Sequence, residues 1–318
     1  MLKNLFIGCA GAGSNIVADL KKEFSEFDFV EYLTIDTSEA NKKEGIPFVH
    51  ISKDSVDGDK LGGSGGIRGA NIGDVKKGVD EFINSKKLHS YDGIVYLVFS
   101  SNGGSGNIIA TLLLGKLLEK DISCCCVIVH DTSSKEYAAH ALNTVKSLYG
   151  TATLKKKAIN CMYYVNKPEV AKTKINETIC KELKLTLEFN DIKNVLDIDS
   201  QDMKNFYNAS IYSYLATPPG VYGVSTIPIN ANAEKVLEDY DVIVARALTA
   251  GEDTLLPKAG IGQYKKGSNS KTNSEMLLLL INNFEAHYGY LENQLKAYDT
   301  KIDHFKIDVT ANNDGLVL

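Results

Sequence analysis

One stretch, residues 95–108, constrains the fold more than any other. An apolar run ends abruptly in the polar and glycine-rich residues Ser101, Asn102, Gly103, Gly104, Ser105, Gly106 and Asn107, and an apolar segment with helical character follows at once. That order predicts a strand, a glycine-rich turn and a helix. Such a turn directs backbone N–H groups and a helix N-terminus at one spot, which suits a phosphate group. A tight turn that binds no ligand explains the stretch equally well.

A second segment of the same kind opens the chain. The apolar residues 5–9 predict a strand, the glycine-rich residues after them predict a loop with Gly11, Ala12, Gly13 and Asn15, and a helix is expected from Ile16. The next strand, residues 32–35, ends at Asp36. Glycines after a first strand and an acid after the second are typical of dinucleotide-binding Rossmann folds, although Ile16 stands where the third glycine belongs. An NAD(P)-dependent oxidoreductase therefore stays open as an alternative.

Two further segments carry candidate ligand groups. Residues 52–74 are polar and rich in glycine, and Arg68 lies among those glycines, which favours contact with an anion but also fits a plain surface insertion. The apolar strand 124–129 is followed by Glu136. Loops after the carboxyl ends of parallel strands collect ligand groups, so Glu136 can accept from ribose hydroxyls. As a plain acid at a helix N-terminus it would instead stabilise the helix dipole.

Residues 168–190 predict one long helix. Ile175, Ile179, Leu183 and Leu187 recur every four residues and form a single apolar stripe. About 22 residues of helix span roughly 33 Å, enough to cross a domain. The acids Asp197, Asp199 and Asp202 follow the helix. A solvated acidic loop, with Asp202 as a helix cap, is the plain alternative for them.

The remainder of the chain alternates less regularly. Strands are expected at 224–229 and 242–248, a long helix or helix pair within 272–297, and an extended tail after it. We therefore expect a second, α+β domain after a Rossmann-like α/β domain with a parallel sheet.

Composition and charge exclude several classes of partner. The net charge of −5 provides no global basic field, so we expect no direct contact with nucleic acid. No apolar run is long enough to span a membrane, so we expect none and a cytoplasmic location. The chain has six cysteines without a C-x-x-C pair, and Cys124, Cys125 and Cys126 lie in an apolar run. They are interpreted as buried hydrophobic residues in a reducing compartment, a metal site being the alternative.

Taken together, these segments resemble the tubulin/FtsZ superfamily of GTPases over essentially the whole chain. Residues 102–108 are similar to the GGGTGTG loop of that superfamily, with Asn102 and Ile108 in place of its first and last glycines. Residues 11–15 are similar to the GGGGNAV run of FtsZ. The triplet Gly69, Ala70, Asn71 resembles the GAGAN segment that meets the γ-phosphate.

The resemblance implies roles for residues beyond the glycine segments. Asn166 and Asn176 stand where the superfamily contacts guanine, and Lys172 stands where an aromatic residue often stacks on the base. Asp199 and Asp202 match the catalytic D-x-x-D loop, and Asp197 leaves the register of that loop open.

The resemblance also implies an organisation and a function. It implies a GTP-binding domain over 1–167, a central helix with the catalytic loop over 168–206, an activation-type domain over 207–298 and a tail for subunit contacts over 299–318. It implies GTP or GDP with Mg²⁺ as ligands, and hydrolysis completed by the next subunit of a head-to-tail filament.

The short chain, without the linker of FtsZ, is most similar to the tubulin-like proteins of large nucleus-forming phages. The implied role is then to position phage DNA or the replication compartment in the cytoplasm of the infected bacterium. A plasmid-segregation filament of the TubZ type and a homologue that binds GTP without hydrolysis stay open.

Overall fold

A computed structural model of the chain describes residues 3–51, 72–85, 88, 91–166, 169–190, 219–229, 242–246, 275–281 and 284–304. Within these residues the strands are β1 (Asn4–Cys9), β2 (Val30–Asp36), β3 (Phe48–His50), β4 (Val95–Ser100), β5 (Cys124–Asp131), β6 (Ala158–Asn166), β7 (Gly220–Ile229), β8 (Val242–Arg246) and β9 (Glu275–Ile281). The helices are α1 (Ala10–Glu23), α2 (Ile72–Ser85), α3 (Gly106–Glu119), α4 (Lys135–Lys155), α5 (Lys172–Asn190) and α6 (Phe284–His304).

The strands form one mixed sheet of nine strands in the order β3-β2-β1-β4-β5-β6-β7-β9-β8. Neighbouring strands from β3 through to β7 are parallel, whereas β9 runs antiparallel to both β7 and β8. The chain leaves β1 in one direction towards β2 and later returns to the other side of β1 with β4. Ligands of open parallel sheets bind at the carboxyl end of the strands beside such a reversal.

Helices cover both faces of the sheet. Alternate residues of each strand point to opposite faces, so Phe6 and Tyr96 pack with α1 and α5, while Ile7 and Leu97 pack with α2, α3, α4 and α6. The predicted α/β class is confirmed. The predicted stripe on α5 is confirmed too, because Ile179, Leu183 and Leu187 are fully buried and Ile175 packs against the same core.

The prediction for residues 272–297 was wrong in its first part. Residues 275–281 form β9, which is hydrogen-bonded to β7 on one side and to β8 on the other, and only α6 is helical. A short, continuously apolar run has no periodicity that separates a strand from a helix, and backbone pairing with a strand on each side shows that this run is a strand. The helix α6 continues to His304, so residues 299–304 are helical and not part of an extended tail.

The sheet continues across the predicted domain boundaries, because β6 pairs with β7 from Ala158 opposite Gly220 to Cys161 opposite Gly223. The division at residues 167 and 206 therefore stays a prediction. Among the helices of the described ranges, none is both long enough and apolar enough to cross a membrane.

Candidate functional site

The candidate site lies at the edge where the parallel strands have their carboxyl ends. Helix α1 begins at Ala10, directly after β1, so Gly11, Gly13 and Asn15 lie in the first turns of the helix and not in a preceding loop. Ala10 turns the chain with a φ of 58°, the left-handed conformation that side chains rarely adopt. The glycine segment was therefore correctly predicted as a strand-to-helix junction, but the predicted loop and the helix start at Ile16 were wrong.

Two glycines allow the helix starts to approach the sheet and each other. A Cβ atom on Gly13 would lie 2.1 Å from the carbonyl oxygen of Val98 in β4. A Cβ atom on Gly106, the first residue of α3, would lie 2.9 Å from the carbonyl oxygen of Cys9. These glycines thus bring the N-termini of α1 and α3 together at the carboxyl ends of β1 and β4.

The two helix starts together favour an anion. Neither α1 nor α3 has an acidic residue in its first turn. Their unneutralised partial positive charges therefore lie side by side, an arrangement that suits phosphate groups. Between them, Gly103 is exposed and a Cβ atom on it would meet no neighbouring atom within 4 Å, whereas Gly104 and Ser105 are buried.

The side chains of Asn102 and Asn107 are engaged inside the protein. Asn102 is buried and bonds to the backbone of Asp131 through both ends of its amide. The Asn107 Nδ2 donates to the carbonyl oxygens of Ser101, at 2.7 Å, and Gly103, at 2.8 Å, which closes the turn. These two residues hold the turn after β4 in shape, and what residues 102–107 offer a ligand is mainly backbone.

The loop after β2 contacts the same turn. The hydroxyls of Thr37 and Ser105 lie 3.1 Å apart and share a hydrogen bond. The carboxylate of Asp36 is only 2% exposed and accepts from the Thr37 N–H and from the Asn41 Nδ2, each at 2.6 Å. Both of its oxygens are occupied by protein groups. This occupation argues against the Rossmann alternative, in which Asp36 would bind ribose hydroxyls.

A cavity of about 330 Å³ lies between α1 and α5. Its lining includes Asp19, Thr173 and Asn176, and the Asn176 Nδ2 donates to the Asp19 Oδ2 at 3.0 Å. Asn15, one turn before Asp19 on the same face of α1, is exposed, as is Lys172 at the start of α5. This cavity brings together polar groups from the second half of α1 and from α5.

The remaining predicted residues of this edge are Asn166 and Glu136. Asn166 ends β6, is half-buried and stands opposite Asp131 in the register of β5 and β6. Glu136 is exposed in the first turn of α4, where the hydroxyl of Ser134 caps the helix by accepting from the Tyr137 N–H at 3.1 Å.

Helix α6 contacts the loop between β5 and α4 and the first residue of α4. The Tyr298 hydroxyl donates to the carbonyl oxygen of Thr132 at 2.6 Å, and Lys135 forms an ion pair with Asp299. The loop that precedes Glu136 is therefore held by a helix from a distant part of the chain.

Two buried histidines lie under the turn after β4. The His130 Nδ1 is 2.9 Å from the Ser101 Oγ, and the ring of His130 lies 4.8 Å from that of His287 in α6. Burial, and to a lesser degree the neighbouring His287, holds the pKa of His130 well below its usual value. Burial also lowers the pKa of His287 to about 4. Both rings are therefore neutral near pH 7.

Comparison with known proteins supports the fold. No protein-family model and no curated protein sequence matches this chain. The TubZ protofilament from bacteriophage PhiKZ and the GDP-bound phage tubulin PhuZ each superpose with a TM-score of 0.78 and 18% identity, over 100% of both chains. The GTPγS-bound protofilament of CetZ2 from Haloferax volcanii superposes with a TM-score of 0.59 and 14% identity, over 94% of this chain and 100% of the other. The chain has the tubulin/FtsZ fold.

The described part of this tubulin/FtsZ fold brings together most, but not all, of the predicted site. The residues that lie at the paired helix starts are Gly11, Ala12, Gly13, Asn102, Gly103, Gly104, Ser105, Gly106 and Asn107. Asn15 lies on α1 one turn before Asp19, Asn176 lines the cavity between α1 and α5, and Asn166 and Glu136 lie at the neighbouring strand ends. Arg68, Gly69, Ala70, Asn71, Asp199 and Asp202 lie outside the described residues.

The described residues of this tubulin/FtsZ fold do not form a protein-only binding site for the predicted Mg²⁺. No group of three or more His, Cys, Asp or Glu side chains there could hold a metal ion. Each oxygen of the Asp36 carboxylate, which lies beside the Thr37 hydroxyl, already accepts a hydrogen bond from the protein. The described side chains alone thus do not fit a magnesium site.

Several residues of the site were missed by sequence reasoning. Thr37 directly follows Asp36, the last residue of β2. This position predicts a loop at the carboxyl edge of the sheet, where the site lies. Asp19 lies four residues after Asn15 and hence on the same helical face, which was a usable signal. Tyr298 had no signal, because its partner Thr132 is 166 residues away in the chain.

Proposed function

We propose that this chain binds and hydrolyses GTP and polymerises head to tail into filaments. The observation that carries the proposal is the meeting of two acid-free helix N-termini, those of α1 and α3, at the carboxyl ends of β1 and β4. Such a pair of helix starts suits a polyphosphate. We place the base of the same nucleotide at the cavity between α1 and α5, which Asn176 lines.

In this proposal the nucleotide lies along the carboxyl edge of the sheet. Its phosphates bind the backbone of residues 103–106 and of the α1 start, Glu136 accepts from the ribose, and Asn15, Asn166 and Asn176 contact guanine. Arg68 and the triplet Gly69, Ala70 and Asn71 complete the γ-phosphate contacts. Asn102 and Asn107 act on the ligand through the turn whose shape they hold.

Hydrolysis breaks the bond between the β,γ-bridging oxygen and the terminal phosphorus, and water supplies the new oxygen. A carboxylate that orients this water accelerates the reaction. We assign the role to Asp199 and Asp202 of the next subunit, as the resemblance of these residues to the D-x-x-D loop of the superfamily implies. Mg²⁺ would be held by phosphate oxygens and water, as is usual for this ion.

A site completed by the next subunit makes hydrolysis depend on assembly. A head-to-tail contact does not close, so it propagates a filament. The TubZ and CetZ2 structures similar to this chain are themselves protofilaments, which supports self-association as the mode of action. We propose that residues 305–318 contact a neighbouring subunit, and that the filament positions phage DNA or the replication compartment in the host cytoplasm, without direct contact to nucleic acid or membrane.

The test measures bound nucleotide, hydrolysis and assembly in one preparation. We expect a guanine nucleotide in the purified protein, GTP-dependent filaments in electron micrographs, and a rate per subunit that rises steeply with protein concentration. Asp202→Ala should keep the filaments and lose at least about 10-fold in rate, since the water is no longer oriented. A nicotinamide nucleotide in the purified protein, or equal specific rates in dilute and concentrated samples, would contradict the proposal.

A further inference from the structure

The contact between Asp19 and Asn176 joins two helices across the cavity. The donor Nδ2 of Asn176 and the acceptor Oδ2 of Asp19 are 3.0 Å apart, although 157 residues separate them in the chain. The segment that follows α1 also meets α5, where Glu26 pairs with Lys184 at 2.8 Å, and the apolar faces of α1 and α5 pack into one core. The two side chains are thus held in a fixed relation by tertiary packing.

The chemistry of this contact determines which way the Asn176 amide faces. A side-chain amide has a donor end and an acceptor end of nearly equal size, and it can present either end to a ligand. A carboxylate has acceptors only, so Asp19 selects the NH₂ end of Asn176 as its partner. The Oδ1 of Asn176 is thereby turned away from Asp19.

An acceptor fixed in this way distinguishes purine bases. The Watson–Crick edge of guanine carries N–H donors at N1 and N2, whereas adenine carries an acceptor at N1 and no amino group at C2. A site that must leave a buried hydrogen-bonding group unpaired with the wrong ligand discriminates strongly. A freely rotating amide would present its NH₂ end to adenine N1 and lose that discrimination.

We propose that Asp19 is a positioning residue that fixes the amide of Asn176 with Oδ1 towards the base, and so sets the preference for guanine over adenine nucleotides. This inference rests on the proposed function, since it takes Asn176 to contact the base. Asp19 itself acts through Asn176.

The experiment compares nucleotide selectivity in four forms of the full chain. Dissociation constants for GDP and ADP are measured by calorimetry on wild type, Asp19→Asn, the double variant Asp19→Asn with Asn176→Asp, and Glu26→Gln. The last variant is the matched control, because it weakens an ion pair between α5 and the segment after α1 and does not touch Asn176.

In Asp19→Asn the partner can both donate and accept, so the Asn176 amide is free to flip. We expect the ratio of ADP to GDP dissociation constants to fall by about 10-fold, the effect of one hydrogen bond. In the double variant the donor and acceptor are exchanged, and residue 176 again offers an acceptor to the base, so the ratio should recover. Glu26→Gln should keep the wild-type ratio.

The outcomes separate this inference from the proposed function. An unchanged ratio in Asp19→Asn, with wild type selective for GDP, overturns the positioning role and leaves the proposed function standing. Equal loss of GDP and ADP affinity in Asp19→Asn and in Glu26→Gln shows that the contact only holds the helices, and overturns it as well. A wild-type chain that binds no guanine nucleotide overturns both.

Discussion

Asn102 pairs with the backbone of Asp131 as a neighbouring strand would. Its Oδ1 accepts from the Asp131 N–H at 2.8 Å, and its Nδ2 donates to the Asp131 carbonyl oxygen at 2.5 Å. The pairing of β4 with β5 is thereby extended past Ser100, the last residue of β4. The asparagine in place of a glycine therefore joins two loops of the candidate site.

Removing this side chain should cost stability and loosen the turn. Asn102→Ala leaves the buried N–H of Asp131 without its partner, so we expect a loss of about 1–3 kcal/mol in the free energy of unfolding. Urea denaturation measures it. Ser147→Ala, which removes a hydroxyl on the exposed face of α4, should stay within about 0.5 kcal/mol of wild type and serves as the control. Equal effects of the two substitutions would contradict the role of Asn102.

Two helical glycines should respond in opposite ways to alanine. Gly13→Ala places a methyl group 2.1 Å from the backbone oxygen of Val98, which cannot move aside, so we expect destabilisation by about 3 kcal/mol or more. At Gly150 in α4 a Cβ atom meets nothing within 4 Å, so Gly150→Ala should stabilise by about 0.5–1 kcal/mol. Thermal and urea unfolding measure both. A tolerated Gly13→Ala would show that α1 does not pack as closely as described.

The buried His287 should make the fold sensitive to acid. Because burial lowers its pKa in the folded state to about 4, the unfolded chain binds more protons than the folded one between pH 4 and the usual histidine range. The stabilisation is thus complete above about pH 6.5 and is lost as the pH falls to 4, with a total on the order of 3 kcal/mol.

The check for His287 is a set of urea titrations from pH 7.5 to 4.5. His287→Phe keeps an aromatic ring against Tyr163 and cannot be protonated, so its stability should depend less steeply on pH than that of wild type. His50→Phe, at a partly exposed histidine of β3, provides the control. Parallel pH profiles for wild type and His287→Phe would show that another group is responsible.

The hydroxyl of Tyr298 should matter more than the ion pair beside it. Tyr298→Phe removes the donor to Thr132 and should lower the free energy of unfolding by about 0.5–1.5 kcal/mol. Asp299→Asn breaks an exposed ion pair with Lys135 and should change it by less than about 0.5 kcal/mol. If the proposed function holds, Tyr298→Phe also weakens GDP binding, measured by calorimetry, because the loop before Glu136 is released. The reverse order of effects would contradict this account.

Sequence reasoning succeeded where the signal was local. The junctions of β1 with α1 and of β4 with α3 were predicted because an apolar run and a glycine segment adjoin in the chain. The stripe from Ile175 to Leu187 was predicted because helical periodicity records which face is buried. It failed for residues 275–281, where a uniform apolar run has no period.

The contacts that shape the site were beyond a single sequence for a different reason. Asp19 with Asn176, and Thr132 with Tyr298, meet only because distant segments pack together, and neither partner marks the other in its local pattern. Asn102 and Asn107 were predicted as site residues, but their hydrogen bonds within the protein were not predicted. The direction of each side chain depends on the folded turn.

The position of β9 has a consequence for the order in which the chain can assemble. Within the described sheet, β9 lies between β7 and β8, although both precede it in the chain. During synthesis β8 therefore has no neighbour to pair with until residues 275–281 have left the ribosome. The first six strands can pair as they emerge, whereas one edge of β7 has no β9 to pair with until Glu275 and the residues after it have been made. Within the described sheet, the strand that is made last thus completes the sheet. A chain that stopped before β9 would leave one edge of β7 unpaired and prone to aggregation.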